Sequence, residues 1–243
     1  FTFKGDETLD QGIYITVMPP DNKYFEVIVD GDQHFKMSTK YATPVKSMKV
    51  TGSEENSRFY AYLGYLNQQK SKSEPLTDQI AELEKADSTR FRETPEFKTI
   101  QKKMTDIDQE VKDYKNKFIT DYPNALLTKV FLASKEPEVP EAPILENGRP
   151  DSTFAWRYFK NHFWDEVDFS DDRIIRTPVY HSKLEKFMTK TIYQIPDSII
   201  KEATLLVEKT KDNKELFKYT VFWITSHFET SKQMGMDAVF VHM

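Results

Sequence analysis

The sequence predicts an α+β fold: a small N-terminal antiparallel sheet, part of a truncated β-sandwich, followed by a larger all-α domain that contains a long helical hairpin. Three observations carry this prediction. Apolar and polar side chains alternate with a period of two over residues 1–50, and the period becomes helical after residue 52. Glycine is scarce, with 7 in 243 residues, which favours helices over loop-rich β architecture.

The strand prediction covers residues 1–50. The stretches "GIYITVM" and "KYFEVIVD" are rich in β-branched and aromatic residues, and "PPDN" between them is a turn cluster. Asp30-Gly31 is a hairpin signal before "QHFKMST", and "FTF" adds a fourth strand in meander order. Four strands with one apolar face do not close a sandwich. We therefore expect Phe1 to lie inside a β-domain that begins earlier; the alternative is a small sheet packed on the following helices.

The helical domain is predicted over residues 51–243. Ser53 followed by Glu54 and Glu55 is typical of a helix N-terminus, and two apolar stripes follow, at 59–66 and 76–83. Thr94-Pro95 begins a second long helix. Its apolar residues are spaced alternately by three and four: Phe97, Ile100, Met104, Ile107, Val111, Tyr114 and Phe118. This heptad seam predicts packing on an antiparallel helix of the same chain, with a dimeric coiled coil as the alternative.

A proline-rich segment subdivides the helical domain near residues 136–151. It reads "EPEVPEAPILENGRPD", and its four prolines exclude a helix and favour extended, polyproline-like backbone. One interpretation is an ordered crossover between two helical subdomains. The other is a docking surface for another domain, with these candidate residues: Pro140, Pro143, Asn147, Arg149 and Asp151. Helices are predicted on both sides of the segment, in "PNALLTKVFLASK" and in four stretches that begin near 154, 180, 196 and 216.

Composition excludes several classes of function. The net charge of −5 provides no basic excess for binding nucleic acid, and no run approaches the length of a membrane span. The chain has no cysteine, which removes disulfides, thiolate metal sites and cysteine nucleophiles. No phosphate-binding or nucleophile motif is present, so the sequence predicts no catalytic residue and no cofactor.

Two groups of residues could form a functional site, but each also has a simpler structural explanation. The acids of "WDEVDFSDDR" could bind a cation or serve a hydrolase, but Arg173 and Arg176 can neutralise them and Asp171 or Asp172 can cap a helix. Aromatic side chains at helical spacing could line a pocket but more often form core: Trp156, Phe159, Phe163, Trp164 and Trp223. The five histidines form no metal-binding pattern, so the sequence predicts no metal site.

Several stretches resemble a known family. "GIYITVMPPDNKYFEVIVDGDQHFKMST" resembles the end of the N-terminal β-domain of cell-envelope thioredoxin-like proteins of bacteria, of the type found in gut anaerobes. "MKVTGSEENSRFYAYL", "ASKEPEVPEAP", "NGRPDSTFAWRYFKNHFWDEVDFSDDRIIRTPVYHSKLEKF" and "SKQMGMDAVFVHM" resemble the helical domain of unknown function that follows it. The resemblance implies a three-part protein that ends in a thioredoxin-like thiol–disulfide oxidoreductase domain with a CxxC-type site.

The resemblance also implies an exported protein in the periplasm or cell envelope, held by a lipid on a removed N-terminal segment. The chain itself has no cysteine, so no catalytic residue is carried over. We expect a non-catalytic accessory region that positions the redox domain or presents envelope proteins to it, as a monomer or weak dimer. The alternative is a free-standing helical module that binds a peptide or glycan.

The last residues, "MGMDAVFVHM", predict a short final helix that begins near Asp237, with Gly235 at the C-terminal cap of the helix before it, which would end near Lys232. We interpret the apolar ending as a boundary inside a longer protein.

Overall fold

The computed structural model describes residues 2–31 and 33–243 and confirms the α+β class. The described residues form two antiparallel two-stranded sheets near the N-terminus and eight α-helices, and 57% of the chain is helical. They divide into two compact units. The first contains Ile13–Thr128 and the residues before Asp10; the second contains Lys129–Met243 and Asp10–Gly12. The sequence predicts a boundary near residue 50 between a β-domain and a helical domain. The two compact units do not test that boundary, so it stays a prediction.

The strands are β1 (Gly12–Met18), β2 (Lys23–Val29), β3 (Lys36–Ser38) and β4 (Lys49–Thr51). β1 pairs with β2, and β3 pairs with β4 in the register Lys36↔Thr51, Met37↔Val50 and Ser38↔Lys49. The predicted four-strand meander is therefore wrong. The "FTF" strand is also wrong at Thr2 and Phe3, which form no strand, while Phe1 lies outside the described residues.

A side chain explains why β2 does not continue the sheet to β3. Asn56 is fully buried, and its amide satisfies both backbone groups of Ile28. The Ile28 N–H donates to Asn56 Oδ1 at 2.8 Å, and Asn56 Nδ2 donates to the Ile28 carbonyl at 2.7 Å. The amide thus takes the hydrogen bonds that a neighbouring strand would make.

The first long helix, α1 (Glu54–Ala86), is anchored to β2 over its first two turns. Ser53 Oγ caps it by accepting from the Asn56 N–H at 3.2 Å. Tyr60 donates its hydroxyl to the Glu26 carbonyl at 2.7 Å. The buried side chains at the meeting point of α1 and β2 therefore include Ile28, Val29 and Phe59.

The two apolar stripes predicted over residues 59–83 belong to one helix, because α1 continues through Pro75. The inward-facing positions of α1 follow the same heptad spacing before and after Pro75, although two of them are polar. These half-buried or buried positions are Tyr62, Leu66, Gln69, Ser73, Leu76, Ile80 and Leu83. The stabilisation from packing along this continuous face offsets the loss of the backbone hydrogen bond that Pro75 cannot donate.

The helix α2 (Pro95–Asp121) packs on α1, which confirms the predicted intrachain hairpin. Thr94 caps α2 by accepting from the Phe97 N–H at 3.2 Å. All seven predicted seam residues are buried or half-buried. Along this seam, Tyr114 stacks on Tyr65 with ring centroids 4.2 Å apart.

A polar layer crosses the hairpin beside that stack. Glu110 of α2 accepts from Gln69 Nε2 and Lys72 Nζ of α1, both at 2.9 Å. Tyr65 donates its hydroxyl to the Glu110 carbonyl at 2.9 Å. The hydrogen bonds from Lys72 and then Gln69 lower the pKa of Glu110. Because these partners must face each other, the layer favours one register of the two helices.

The remaining helices are α3 (Leu126–Ser134), α4 (Phe154–His162), α5 (Pro178–Lys186), α6 (Pro196–Thr210), α7 (Lys214–Glu229) and α8 (Asp237–His242). They confirm the helices predicted on both sides of the proline-rich segment. Helix α5 continues as a π-helical turn, Phe187–Thr191. Gly235 has the expected positive φ of 84°, but α7 ends at Glu229, so Gly235 precedes α8 rather than capping α7.

The core of the second unit is aromatic and aliphatic. Its fully buried side chains include Ile174, Tyr180, Leu184, Met188, Ile199, Leu216, Ile224 and Val239. Tyr180 keeps its hydroxyl satisfied at Thr220 Oγ1, 2.6 Å away. Burial raises the pKa of Tyr180 well above its ordinary value. This core is the platform on which the proline-rich segment is held.

We predict that Asn56→Ala lowers the free energy of unfolding by about 3 kcal/mol, because it leaves a buried N–H and a buried carbonyl of Ile28 without partners. Urea titration followed by circular dichroism measures the loss. Asn67→Ala is the matched control, since Asn67 is exposed on the same helix and its replacement should change stability by about 0.5 kcal/mol or less. Equal losses in the two variants would contradict the bridging role of Asn56.

Candidate functional site

The proline-rich residues 136–151 form an exposed feature of the second unit, which we call the docking strip. Its first half, residues 136–143, has neither helix nor strand. Its second half closes into a small hairpin through a bridge between Ile144 and Pro150. Large apolar side chains stand in solvent along it: Ile144 is 65% exposed and Leu145 is 45% exposed. An ordered segment with exposed apolar side chains is typical of a contact surface.

Two backbone hydrogen bonds and one from backbone to side chain shape the hairpin. The Leu145 N–H donates to the Arg149 carbonyl at 2.8 Å, and the Gly148 N–H donates to the Leu145 carbonyl at 2.9 Å. Asn147 Oδ1 accepts from the Arg149 N–H at 3.0 Å. Gly148 has a φ of 74°, a conformation that a side chain disfavours. These bonds form a turn at Asn147-Gly148, a residue pair that favours turns, with Asn147 and Arg149 at its exposed tip.

Asp151 anchors the C-terminal end of the strip. Its N–H donates to the Pro143 carbonyl at 3.0 Å, and its carboxylate accepts from the Thr153 hydroxyl at 2.8 Å. Arg157 of α4 donates Nη2 to the same carboxylate at 2.6 Å. The hydrogen bonds from Thr153 lead the causes that lower the pKa of Asp151. Asp151 therefore holds the strip rather than facing a partner.

Lys183 anchors the N-terminal end. This α5 lysine is 7% exposed and donates Nζ to the Lys135 carbonyl at 3.0 Å, just past the last residue of α3. Its Nζ also lies 4.5 Å from the centroid of the Phe163 ring. Burial lowers the pKa of Lys183 to about 8. One turn further, Lys186 forms an ion pair with Glu136, the first residue of the strip.

The structure therefore places three of the five sequence-predicted residues in the hairpin half of the strip: Asn147, Arg149 and Asp151. Pro143 ends the extended half, where its carbonyl accepts from the Asp151 N–H. Pro140 lies in the extended half and is exposed. Neither of the two lysines that hold the N-terminal end of the strip, Lys183 and Lys186, is predicted from the sequence. A weak signal was present, because Lys183 falls among the inward positions of α5, between Tyr180 and Leu184.

Three of the five acids that suggested a cation site are paired with basic side chains: Asp168, Asp171 and Asp172. Asp171 caps the 3-10 helix Asp172–Arg176 and pairs with Arg173 at 2.7 Å. Asp172 pairs with Arg176 at 2.5 Å. Asp168 accepts from the Ser170 hydroxyl and from Lys129, and these hydrogen bonds lower its pKa. Among residues 2–31 and 33–243, no group of three histidine, cysteine or acidic side chains is arranged to hold a metal ion.

The aromatic residues divide between core and surface. Phe163 and Trp164 are buried in the core of the second unit, as the simpler interpretation predicts. Trp156 is half-buried and donates its indole N–H to the Thr191 carbonyl at 2.9 Å. Tyr193, 57% exposed, lies against Trp156 with ring centroids 4.2 Å apart. His181 and the Tyr219 hydroxyl share a hydrogen bond of 2.8 Å, which satisfies that histidine.

Comparison with protein-family models identifies one match, to a domain of unknown function, DUF5106, over residues 85–243. The matched residues make up most of the chain. The chain belongs to the DUF5106 family. Neither the curated proteins nor the solved structures contain a match to it.

The DUF5106 match contains the whole docking strip and all of its anchors. It also contains α2 but only the last two residues of α1, while the strands lie before it. In the described part of the chain, no helix is long and apolar enough to cross a membrane. The strip is therefore a feature of the DUF5106 region itself.

Lys183 gives the anchored end a measurable pH dependence. Because burial disfavours its ammonium form, the folded chain binds fewer protons than the unfolded chain between pH 8 and 10.5. We predict that this residue makes the free energy of unfolding rise with pH across that window, and that Lys183→Met removes the rise. Urea titrations at several pH values measure the difference between the variant and the wild type.

The control is Lys190→Met, which removes an exposed lysine near the same helix. Its stability should follow the wild-type pH profile, because Lys190 is solvated in the folded chain. A Lys183→Met profile parallel to wild type would show that the Lys183 amine is not desolvated.

Proposed function

We propose that this chain is a non-catalytic accessory module that contacts a protein partner through its docking strip. The observation that carries the proposal is the anchoring of an exposed, partly apolar segment at both ends. Lys183 holds Lys135 at one end, and Arg157 holds Asp151 at the other. A segment ordered before binding loses less conformational entropy on association, so it binds more tightly per unit of contact area.

The partner that we propose is a thioredoxin-like redox domain of the same, longer protein. The resemblance to cell-envelope thioredoxin-like proteins supports this choice, and so does the composition of the chain. Thiol–disulfide exchange requires a thiolate, and the chain has no cysteine. The division of labour would be simple: the redox domain supplies the chemistry, and this module positions it or presents a protein substrate to it. The proposed location is the periplasm or cell envelope.

Arg149 provides the test. Its side chain is exposed at the hairpin tip and lies outside both anchors. We predict that Arg149→Glu weakens binding of this chain to the thioredoxin-like domain supplied as a separate protein. The expected loss is about 1 kcal/mol, or roughly fivefold in Kd, which is the scale of a partly exposed charge contact. Isothermal titration calorimetry measures the loss.

Arg90→Glu is the matched control, because it reverses an exposed arginine outside the strip. It should leave the Kd unchanged. Identical affinities for Arg149→Glu and the wild type would remove the hairpin from the interface. Absence of binding by the wild-type chain would overturn the redox domain as partner.

A second candidate function rests on a different surface. The exposed Tyr193 ring lies against Trp156 and offers an aromatic surface of the kind that lines sites for sugars or peptides. This would make the chain a free-standing binding module. The reading frame distinguishes the two: a CxxC motif encoded after residue 243 favours the accessory module, whereas a stop codon soon after it favours the free-standing one.

A further inference from the structure

The extended half of the docking strip has a regular proline spacing. Pro137, Pro140 and Pro143 recur every third residue. The ring of each proline fixes its own φ near −65°, and each also excludes the helical conformation for the residue before it. Those preceding residues are Glu136, Val139 and Ala142. Three prolines and three preceding residues thus restrain six of the eight positions from 136 to 143 to extended backbone.

A polyproline II helix has three residues per turn, so this spacing sorts the side chains onto three faces. The prolines share one face. Glu138 and Glu141 share the second, and both are exposed. Within the described part of the chain, neither acid forms an ion pair, in contrast to Glu136 at the anchored end. A polyproline II conformation of this segment therefore places a proline face beside an acidic face that has no ion-pair partner among the described residues.

The backbone of this segment is available as well. Among the described residues, no hydrogen bond involves a backbone group of residues 137–142. Pro140 and Pro143 are exposed, while Pro137 and Ala142 are half-buried. The segment thus rests on the protein at two points and leaves most of its length open. Polyproline II segments of this kind dock into grooves lined by aromatic rings, which pack against the proline rings.

We propose that residues 137–143 are a preformed polyproline II ligand for a protein groove that is lined by aromatic side chains and rimmed by lysine or arginine. This inference rests on the proposed docking function and specifies the surface of the partner. Aromatic rings face the prolines, and the cations face Glu138 and Glu141. Arg149 contributes separately, at the hairpin end.

The test uses the whole chain, labelled with ¹⁵N, and three synthetic peptides as probes. The first alternates lysine and tryptophan, the second replaces tryptophan with alanine, and the third replaces lysine with glutamate. We expect the lysine–tryptophan peptide to shift the amide resonances of Glu138, Val139, Glu141 and Ala142 in a saturable way. Replacing either component should abolish these shifts, because the surface requires both a ring and a cation.

Two variants sharpen the result. The double variant Glu138→Gln with Glu141→Gln should bind the lysine–tryptophan peptide about fivefold more weakly, since it removes two exposed charge contacts. The control, Glu82→Gln with Glu84→Gln, neutralises two exposed acids of α1 and should bind as the wild type does. Equal shifts with the lysine–alanine peptide would overturn the aromatic groove. Shifts at other acidic surfaces, with none in the strip, would overturn the site.

This experiment is independent of the redox domain. If the peptide binds the strip but the thioredoxin-like domain does not bind the chain, the ligand inference stands and the proposed partner is wrong. If the domain binds through Arg149 while the peptides leave the strip unchanged, the proposed function stands and the polyproline ligand is wrong.

Discussion

The proposed site depends on the hydrogen bond that the buried amine of Lys183 donates to the Lys135 carbonyl. It lies where three parts of the second unit meet: the aromatic core at Phe163, the end of α3 at Lys135, and the first residue of the docking strip. A carbonyl just past a helix C-terminus is a favourable acceptor for a lysine, because the helix dipole places negative charge there. The cost of burying the amine is visible in its lowered pKa. This unfavourable burial occurs at the point where the exposed strip is attached to the second unit.

The strip combines two sources of order that act at different levels. Proline spacing restrains the backbone covalently and needs no neighbours, so it also operates in the unfolded chain. The anchors at Lys183 and Asp151 act only in the folded unit and set where the strip stands. The first makes the segment stiff, and the second makes its position reproducible. A stiff segment in a fixed position is suited to recognition, because little freedom remains to be lost on binding.

The order of residue types along the sequence predicted the features that depend only on residues close together in the chain. The α2 seam follows from apolar spacing, and its start follows from Thr94 and Pro95. The continuity of α1 was missed because Gln69 and Ser73 are polar and Pro75 resembles a break, whereas the deciding factor is packing along α2. The strand order was missed because Asn56, 28 residues from Ile28, replaces a strand partner. At the site, the turn at Asn147-Gly148 was predictable, but Lys183 lies 48 residues from the carbonyl that it holds.

The central claim is that residues 137–143 are held in one extended conformation in the free chain. Backbone ¹⁵N relaxation at the amides of Glu138, Val139, Glu141 and Ala142 tests this claim directly. The account predicts order parameters close to those of α3 and α5, about 0.85, because covalent restraint and both anchors act on the segment. Order parameters below about 0.6 at these amides would mean a flexible loop and would contradict it.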